Sequence, residues 1–184
     1  MKTQAWRTRA RWWVLGLLLV TGTAQAGQKQ VGGVNMPDSL TLQGRTIALA
    51  HMQLQKRLFF KLYVWSLYLE EQPRSASEAI SSNSVKRLHF RFLRSITRDQ
   101  LVGSLRHGLQ KNPDLRQGPM ADHLQVMLSS LKDVQNGEDL VLTYMPGVGL
   151  EVAGGASGGA FIPGKGFADA LFSVWLETHP IFPR

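Results

Sequence analysis

The densest run of apolar residues extends from Arg57 to Leu69 and contains neither glycine nor proline. Its aromatic and aliphatic side chains predict one long central β-strand. Alternation of side chains divides the run into two faces. The first holds Phe59, Lys61, Tyr63, Trp65, Leu67 and Leu69, and the second holds Leu58, Phe60, Leu62, Val64, Ser66 and Tyr68. Because both faces are largely apolar, we expect helices to cover one and further protein or an apolar ligand to cover the other.

Shorter segments on either side of this run also have strand character. Residues 41–49 predict two strands around a tight turn at Gln43 and Gly44. Residues 86–93 alternate, with Leu88, Phe90 and Phe92 on one face. Three more strands, over residues 139–144, 149–153 and 160–162, follow the turn signal at 136–138.

Four segments predict helices. Capping-box spacing at Ser75 and Glu78 begins a short helix that ends near Ser82, and the same spacing at Thr97 and Gln100 begins one that ends near Lys111. Residues 119–131 and 167–176 predict two further helices by their apolar periodicity. A helix pair between two groups of strands indicates an α+β domain with a mainly antiparallel sheet.

Several segments, in this order and spacing, resemble the chalcone isomerase-like family in its bacterial exported branch. The core piece runs from Phe59 to Val64 and is closed by Leu67, Tyr68 and Leu69. The others are residues 34–38, 42–45, 144–149 and 161–164, Trp175 with Leu176, and Pro180. The likeness covers roughly residues 31–181. It implies a curved antiparallel sheet packed against a helical layer, with a ligand cleft between them.

The first 26 residues have the pattern of a secretory signal peptide. A basic start is followed by an apolar run from Trp12 to Val20 and by an Ala-x-Ala site at Ala24 and Ala26, so cleavage would leave Gly27 first. The alternative, an uncleaved anchor, is disfavoured because the run is short against the roughly 20 residues of a membrane span. We therefore expect a periplasmic protein with one chalcone isomerase-like domain over residues 27–184.

Removal of this segment changes the charge. The whole chain carries 21 basic and 13 acidic residues, and four of the basic ones, Lys2, Arg7, Arg9 and Arg11, precede the cleavage site. The remaining domain has 17 − 13 = +4, which does not favour nucleic-acid binding. A solvated basic surface is the simpler interpretation, and attraction to anionic lipid or an acidic ligand is the alternative. Since the chain has no cysteine, disulfides and thiolate chemistry are excluded.

Motifs that match known catalytic patterns lack the context those patterns need. Residues 155–159 read Gly-x-Ser-x-Gly, but the nucleophile elbow needs a helix directly after Ser157, and glycines and a strand follow instead. Residues 159–166 approach a phosphate-binding loop, but Gly166 stands where a hydroxyl is required and Pro163 removes a backbone donor. No histidine pair has helical metal-ligand spacing, and we expect His107 to lie at the surface.

The resemblance also allows the catalytic donors of the plant isomerases to be sought. These enzymes stabilise an enolate with fixed donors. Their core-strand threonine falls on Tyr63, their arginine on His51 or Gln55, and the hydroxyl of their last helix on Val174, beside Ser173. Their first-helix tyrosine and asparagine have no counterpart. These departures favour a non-catalytic protein that needs no cofactor or metal.

Related proteins of the family bind fatty acids, with an arginine and a tyrosine on the carboxylate. Lys61, Tyr63 and Arg57 are the candidates for that role here, with Phe59 and Trp65 against the apolar body. The alternative is a solvated Lys61 and a core Tyr63. The predicted function is binding of a small apolar or amphipathic molecule, such as a fatty acid or aromatic compound. The alternatives are an isomerase with rearranged donors and an interaction protein with a filled cleft. The sequence predicts no oligomeric state.

Overall fold

A computed structural model describes residues 27–109, 112–155 and 158–178. The predicted signal peptide lies outside the described residues. The strands are β1 Gln28–Val31, β2 Val34–Pro37, β3 Ser39–Leu42, β4 Arg45–Arg57, β5 Phe60–Leu69, β6 Lys86–Phe92, β7 Asp139–Met145, β8 Gly149–Gly154 and β9 Gly158–Pro163. The helices are α1 Ala76–Ser81, α2 Arg98–Leu109, α3 Gly118–Ser130 and α4 Gly166–Thr178, with a 3-10 helix at Pro113–Arg116.

Strands β3 to β9 form one curved antiparallel sheet in which each strand pairs with the next along the chain. Strands β1 and β2 form a separate hairpin. Helices α1 to α4 contribute the opposite wall of the main core. The predicted α+β fold, with a mainly antiparallel sheet packed against a helical layer, is therefore confirmed.

The prediction of one uninterrupted strand from Arg57 to Leu69 is wrong. The chain reverses at Leu58 and Phe59, so that β4 ends at Arg57 and β5 begins at Phe60. Leu58 has φ +54°, a left-handed conformation that a bulky side chain seldom adopts. Tight hairpin turns usually contain glycine, asparagine or aspartate, and this one contains none. Because this turn lacks those residue types, its sequence does not differ from that of a continuous strand.

From Val64 onward, protein covers both faces of β5. On the helical face, Trp65 and Leu67 belong to the main core. On the opposite face, Val64 packs against the β1–β2 hairpin. Further along that face, the fully buried Tyr68 packs against Ile47 and donates a hydrogen bond to the Pro37 carbonyl at 2.9 Å.

Helix α2 is fixed at its start. The Thr97 amide donates to Gln100 Oε1 at 3.2 Å and the Gln100 amide donates to Thr97 Oγ1 at 3.4 Å, which is the reciprocal capping box that the sequence predicts. The Arg98 guanidinium donates to the Leu131 carbonyl at 3.1 Å, just after α3. Since an isolated bridge also joins Ile96 to Val134, α2 and α3 are held together across one end of the sheet.

Within the described ranges, no helix combines the length and apolarity that crossing a membrane requires.

Candidate functional site

A cavity of about 440 Å³ lies between the sheet and helices α2 and α4. Strands β4 to β7 supply one wall and the two helices supply the other. Most of the lining is apolar or aromatic. The lining residues are Gln55, Lys56, Arg57, Leu62, Tyr63, Phe90, Phe92, Ile96, Leu101, Ser104, Leu105, Gly108, Leu140, Val174 and Trp175.

Aromatic rings form the sheet side of this cavity. Tyr63 lies opposite Phe92 in the β5–β6 ladder, and the centroids of their rings are 5.7 Å apart. Tyr63 is also 5.7 Å from the ring of Phe90 in an edge-on arrangement, and Phe90 lies 5.8 Å from the ring of Trp175 on α4. Such edge-to-face contacts hold the rings in fixed orientations. The wall is therefore apolar and pre-organised.

The Tyr63 hydroxyl is the polar group on this wall. Tyr63 is half-buried, and no residue in the described part of the chain is hydrogen bonded to its hydroxyl. Burial raises the pKa of Tyr63 above its usual value. The hydroxyl therefore keeps its proton at neutral pH and is available to donate a hydrogen bond to a bound molecule.

Polar and basic residues gather at one side of the cavity, from the end of β4. The β4–β5 pairing is irregular between Gln55 and Lys56, so that Gln55 lies opposite Tyr63 while Lys56 lies opposite Lys61. This bulge brings consecutive residues, Gln55 and Lys56, together with Arg57, into the lining. Neither Lys56 nor Arg57 forms an ion pair with a described residue. This side of the cavity is consequently suited to an anionic group.

The structure brings together only part of the predicted ligand site. Tyr63 and Arg57 line the cavity. Trp65 is 1% exposed in the core behind the lining, with its ring 5.0 Å from that of His51. Lys61 is exposed and outside the lining, and Phe59 stands 97% exposed at the β4–β5 turn. The predicted strand continued through that turn, which is why Phe59 was assigned to the same face as Tyr63.

Sequence reasoning did not predict the lining residues that come from α2 and α4, apart from Val174, on which the resemblance placed the last-helix hydroxyl. Ser104, Leu105 and Gly108 lie on α2, and Val174 and Trp175 lie on α4. The period of these helices marks a face turned toward the sheet, but it does not show where that face meets the sheet and where it stands away from it. The sequence feature that could have indicated the cavity is the pair of small residues on α2, Ser104 and Gly108, because small side chains leave space between this helix and the sheet.

Three of the positions that the resemblance assigned to catalytic donors, Gln55, Tyr63 and Val174, line the cavity. Val174 lines it without a hydroxyl. The neighbouring Ser173 hydroxyl is already used, since it donates to the Ala170 carbonyl at 2.9 Å and accepts from Asn112 at 3.2 Å. His107 is exposed on α2, outside the lining. In the described ranges no three histidine or acidic side chains are grouped as metal ligands.

A second, more open groove of about 600 Å³ lies among the 3-10 helix, α3 and α4. Among its polar side chains, the Asn112 amide donates to Ala170 and Ser173, and Asp169 is ion paired with Lys165. Because the second groove is more open and has a more polar lining, the aromatic cavity is the better candidate for a site that encloses an apolar ligand.

The same face of the sheet is filled at its other end. Tyr144 on β7 donates from its hydroxyl to Asn83 Oδ1 at 2.6 Å. Beside it, Lys86 on β6 is 1% exposed, donates to the Ile80 carbonyl at 2.6 Å and lies 3.6 Å from the Asp169 carboxylate. Burial lowers the pKa of Lys86 to about 8, although the Asp169 charge opposes this shift. Asp169 also pairs with Lys165.

Comparison with known proteins relates the chain to one family and to solved structures of the same fold. The profile described as chalcone isomerase-like matches residues 28–182. The structure is similar to the crystal structure of a fatty-acid binding protein from Arabidopsis thaliana, with a TM-score of 0.59 and 14% sequence identity over 85% of this chain and 92% of that chain. No curated protein sequence matches at a significant level. At this identity the structural match establishes a shared fold.

Proposed function

This chain belongs to the chalcone isomerase-like family, and from that premise we propose that it binds a small amphipathic molecule in the aromatic cavity without catalysing a reaction. The ligand has an apolar body and an anionic or strongly polar end. A fatty acid has this chemistry, and the similar Arabidopsis thaliana structure is that of a fatty-acid binding protein.

The observation that carries the proposal is the combination of an apolar cavity with a tyrosine hydroxyl on its wall that has no hydrogen-bond partner among the described residues. Ligand sites commonly have volumes of roughly 300–1,000 Å³ and a few polar groups among apolar walls. The cavity, at about 440 Å³, has this size and composition. Because the Tyr63 hydroxyl has no partner among the described residues, it can donate a hydrogen bond to a polar group of a ligand in place of water.

Binding would proceed in two parts. The apolar body would lie between Phe90 on the sheet and Leu105 and Trp175 on the helices, which removes apolar surface from water. The anionic end would lie toward Lys56 and Arg57, because they are the cationic residues of the lining. Arginine is suited to a carboxylate because its planar guanidinium can form two parallel hydrogen bonds. The neutral Tyr63 hydroxyl would supply a further donor.

Catalysis of the chalcone isomerase type is not part of this proposal. Stabilising an enolate requires several donors aimed at one oxygen. The last-helix position is Val174, and the hydroxyl of Ser173 is engaged within α4 and with Asn112. We therefore expect no conversion of a 2′-hydroxychalcone above the spontaneous rate. Enzyme-dependent turnover would instead favour an isomerase with a rearranged set of donors.

Export to the periplasm, with cleavage after Ala26, is also proposed, on the signal-peptide pattern of residues 1–26. N-terminal sequencing of the protein recovered from the periplasm would test it. We expect the sequence to begin at Gly27, and an intact N-terminus on a cytoplasmic protein would contradict the proposal.

The binding proposal is tested by native mass spectrometry of the protein as purified and after solvent extraction and refolding, followed by titration with fatty acids. We expect a bound mass that extraction removes and that a fatty acid restores. Tyr63→Phe should weaken binding, and Tyr144→Phe, at the filled end of the same sheet face, is its matched control. A ligand-free mass together with no binding of any fatty acid would contradict the proposal.

A further inference from the structure

Three consecutive large apolar side chains project into solvent at the β4–β5 turn. Leu58 is 84% exposed, Phe59 is 97% exposed and Phe60 is 60% exposed. We refer to these three residues as the apolar tip. Isolated exposed apolar residues are common on protein surfaces, but a contiguous group of this kind marks an interaction site.

The turn adopts an unfavourable backbone conformation to present these side chains. Leu58 has φ +54°, where a glycine or an asparagine would be accommodated more easily. The β3–β4 turn of the same sheet has the more usual composition. Its positive φ angles occur at Gln43 and Gly44, neither of which has a large apolar side chain. Neither backbone preference nor solubility accounts for leucine and phenylalanine at the β4–β5 turn.

Basic side chains surround the apolar tip. Lys56 and Lys61 lie directly opposite each other in the β4–β5 ladder, next to the pair formed by Arg57 with Phe60. The Arg94 guanidinium lies 5.3 Å from the centroid of the Phe60 ring. We refer to Lys56, Arg57, Lys61 and Arg94 as the basic collar. Like charges opposite each other in a ladder destabilise it unless an anion lies between or beside them.

No acidic partner offsets the basic collar. None of its four members forms an ion pair with a residue in the described ranges, and residues 39–69 contain no aspartate or glutamate. The collar therefore presents uncompensated positive charge around an apolar projection. This arrangement matches the headgroup region of a bilayer, where anionic phosphates lie above an apolar interior.

We propose that the apolar tip inserts into the interface of a lipid bilayer with anionic headgroups, while the basic collar contacts the lipid phosphates. Aromatic and leucine side chains partition into this interfacial zone, and lysine and arginine are attracted to its surface charge. Pairing of two copies through their tips is disfavoured, because it would bring two basic collars together. Membrane docking goes beyond the proposed ligand binding and does not depend on it.

The docking site lies beside the cavity. Lys56 and Arg57 belong both to the basic collar and to the cavity lining. A protein docked by its apolar tip would hold this side of the cavity against the membrane surface. An amphipathic ligand could then pass between the bilayer and the cavity with little exposure to water.

A site-specific fluorescent label tests the docking directly, because the chain contains no cysteine. Phe59→Cys, labelled with an environment-sensitive dye, reports on the apolar tip. Val148→Cys is the matched control: Val148 is also exposed in a hairpin turn, between β7 and β8, at the opposite end of the sheet. The labelled purified proteins are mixed with vesicles of phosphatidylglycerol and phosphatidylcholine, and with vesicles of phosphatidylcholine alone.

We expect the label at position 59 to shift to shorter wavelength with phosphatidylglycerol vesicles and to be quenched by nitroxide-bearing lipid, and the label at position 148 to do neither. In the protein without an introduced cysteine, replacing both Lys61 and Arg94 by glutamine should weaken vesicle binding about 25-fold, since each cation near a charged surface favours binding by a factor of about five.

Three results would overturn the proposal. One is a label at position 59 that does not respond to phosphatidylglycerol vesicles. The second is an equal response at positions 59 and 148. The third is a spectral shift that depends on protein concentration without vesicles, which would indicate pairing of two copies. Because no cavity ligand is added, failure of this test leaves the fatty-acid titration unaffected.

Discussion

Tyr63 and Tyr144 lie on the same face of the sheet, toward its opposite ends, and their surroundings differ. Tyr144 donates a 2.6 Å hydrogen bond to Asn83 and lies 5.3 Å, by its ring centroid, from the Lys86 ammonium. Tyr63 packs its ring against Phe90 and Phe92, but its hydroxyl has no partner among the described residues. One tyrosine completes a packed core and the other borders a cavity.

The difference arises from what the helical layer supplies at each end. Near Tyr144, the segment around α1 provides Asn83 and the Ile80 carbonyl, and α4 provides the Asp169 carboxylate. Near Tyr63, α2 turns the small residues Ser104 and Gly108 toward the sheet. The filled end thus contributes to stability, and the open end leaves room for a ligand.

Four predictions test this difference between the two ends of the sheet, from the largest expected effect to the smallest.

Truncation of a core side chain should cost more at the filled end than at the open end. Leu150 is fully buried on β8, opposite Tyr144, and Leu150→Ala should lower the free energy of unfolding by about 2–5 kcal/mol through lost burial and a new cavity. Leu105 is only partly buried at the existing cavity, so Leu105→Ala should cost about 1 kcal/mol. Urea unfolding of both variants measures the difference in the free energy of unfolding. Equal losses of stability would contradict the distinction between a filled end and an open end.

The buried Lys86 should make stability rise with pH in the weakly alkaline range. Its pKa is about 8 in the folded protein against 10.5 for an ordinary lysine, because burial disfavours the charged form. Above about pH 8 the unfolded chain therefore binds a proton that the folded protein releases. The free energy of unfolding should increase, by on the order of 2 kcal/mol between about pH 8 and pH 9.5.

Lys86→Met is the control for this pH dependence. It removes the titrating group and leaves Asp169 paired with Lys165. The measurement is urea unfolding at several pH values. These stay below pH 10, because tyrosines of the unfolded chain lose their protons around that pH. If the variant and the original protein show the same slope, Lys86 is not the group responsible.

Removing each tyrosine hydroxyl should have opposite consequences at the two ends. Tyr144→Phe breaks the hydrogen bond to Asn83 and should cost about 0.5–1.5 kcal/mol of stability, with fatty-acid affinity unchanged. Tyr63→Phe removes no hydrogen bond to a described residue, so its stability should be unchanged, while its affinity for a fatty acid should fall. Thermal unfolding and titration of both variants give the comparison. A large loss of stability in Tyr63→Phe would show that its hydroxyl is structural.

Local patterns in the sequence predicted most of the fold. Capping residues such as Thr97 and Gln100 marked where α2 begins, and alternation marked the faces of β6, because both signals act over a few residues. The β4–β5 turn was missed because Leu58 occupies a left-handed conformation that sequence preferences assign to other residue types. The pairing of β4 with β5 closes this turn, and pairing between strands has no local signature.

The candidate site was predicted less completely than the fold. Tyr63 and Arg57 were identified because they lie on or beside a recognisable strand. The wall formed by the helices was not predicted, because its position depends on how α2 and α4 pack across the sheet. A cavity is a gap between elements, and its extent depends on packing distances that neither element specifies alone.

The smallest expected effect compares two glycines of α2, Gly103 and Gly108. Alanine is favoured over glycine inside a helix by about 1 kcal/mol. A Cβ at Gly103 would contact no heavy atom within 4 Å, so Gly103→Ala should stabilise the protein and leave ligand affinity unchanged. A Cβ at Gly108 would lie 3.8 Å from Val174 Cγ1, an ordinary contact, so Gly108→Ala should also fold with a similar gain.

The two variants should differ in ligand binding, because only Gly108 lines the cavity. Its added methyl group would occupy space between α2 and α4 that an apolar ligand requires, so we expect the fatty-acid affinity of Gly108→Ala to fall several-fold below that of Gly103→Ala. Thermal unfolding without ligand establishes the shared gain, and fatty-acid titration measures the difference. If both variants are stabilised and bind equally well, the ligand does not reach the helical wall. Binding would then be confined to the side of the cavity formed by Lys56, Arg57 and Tyr63.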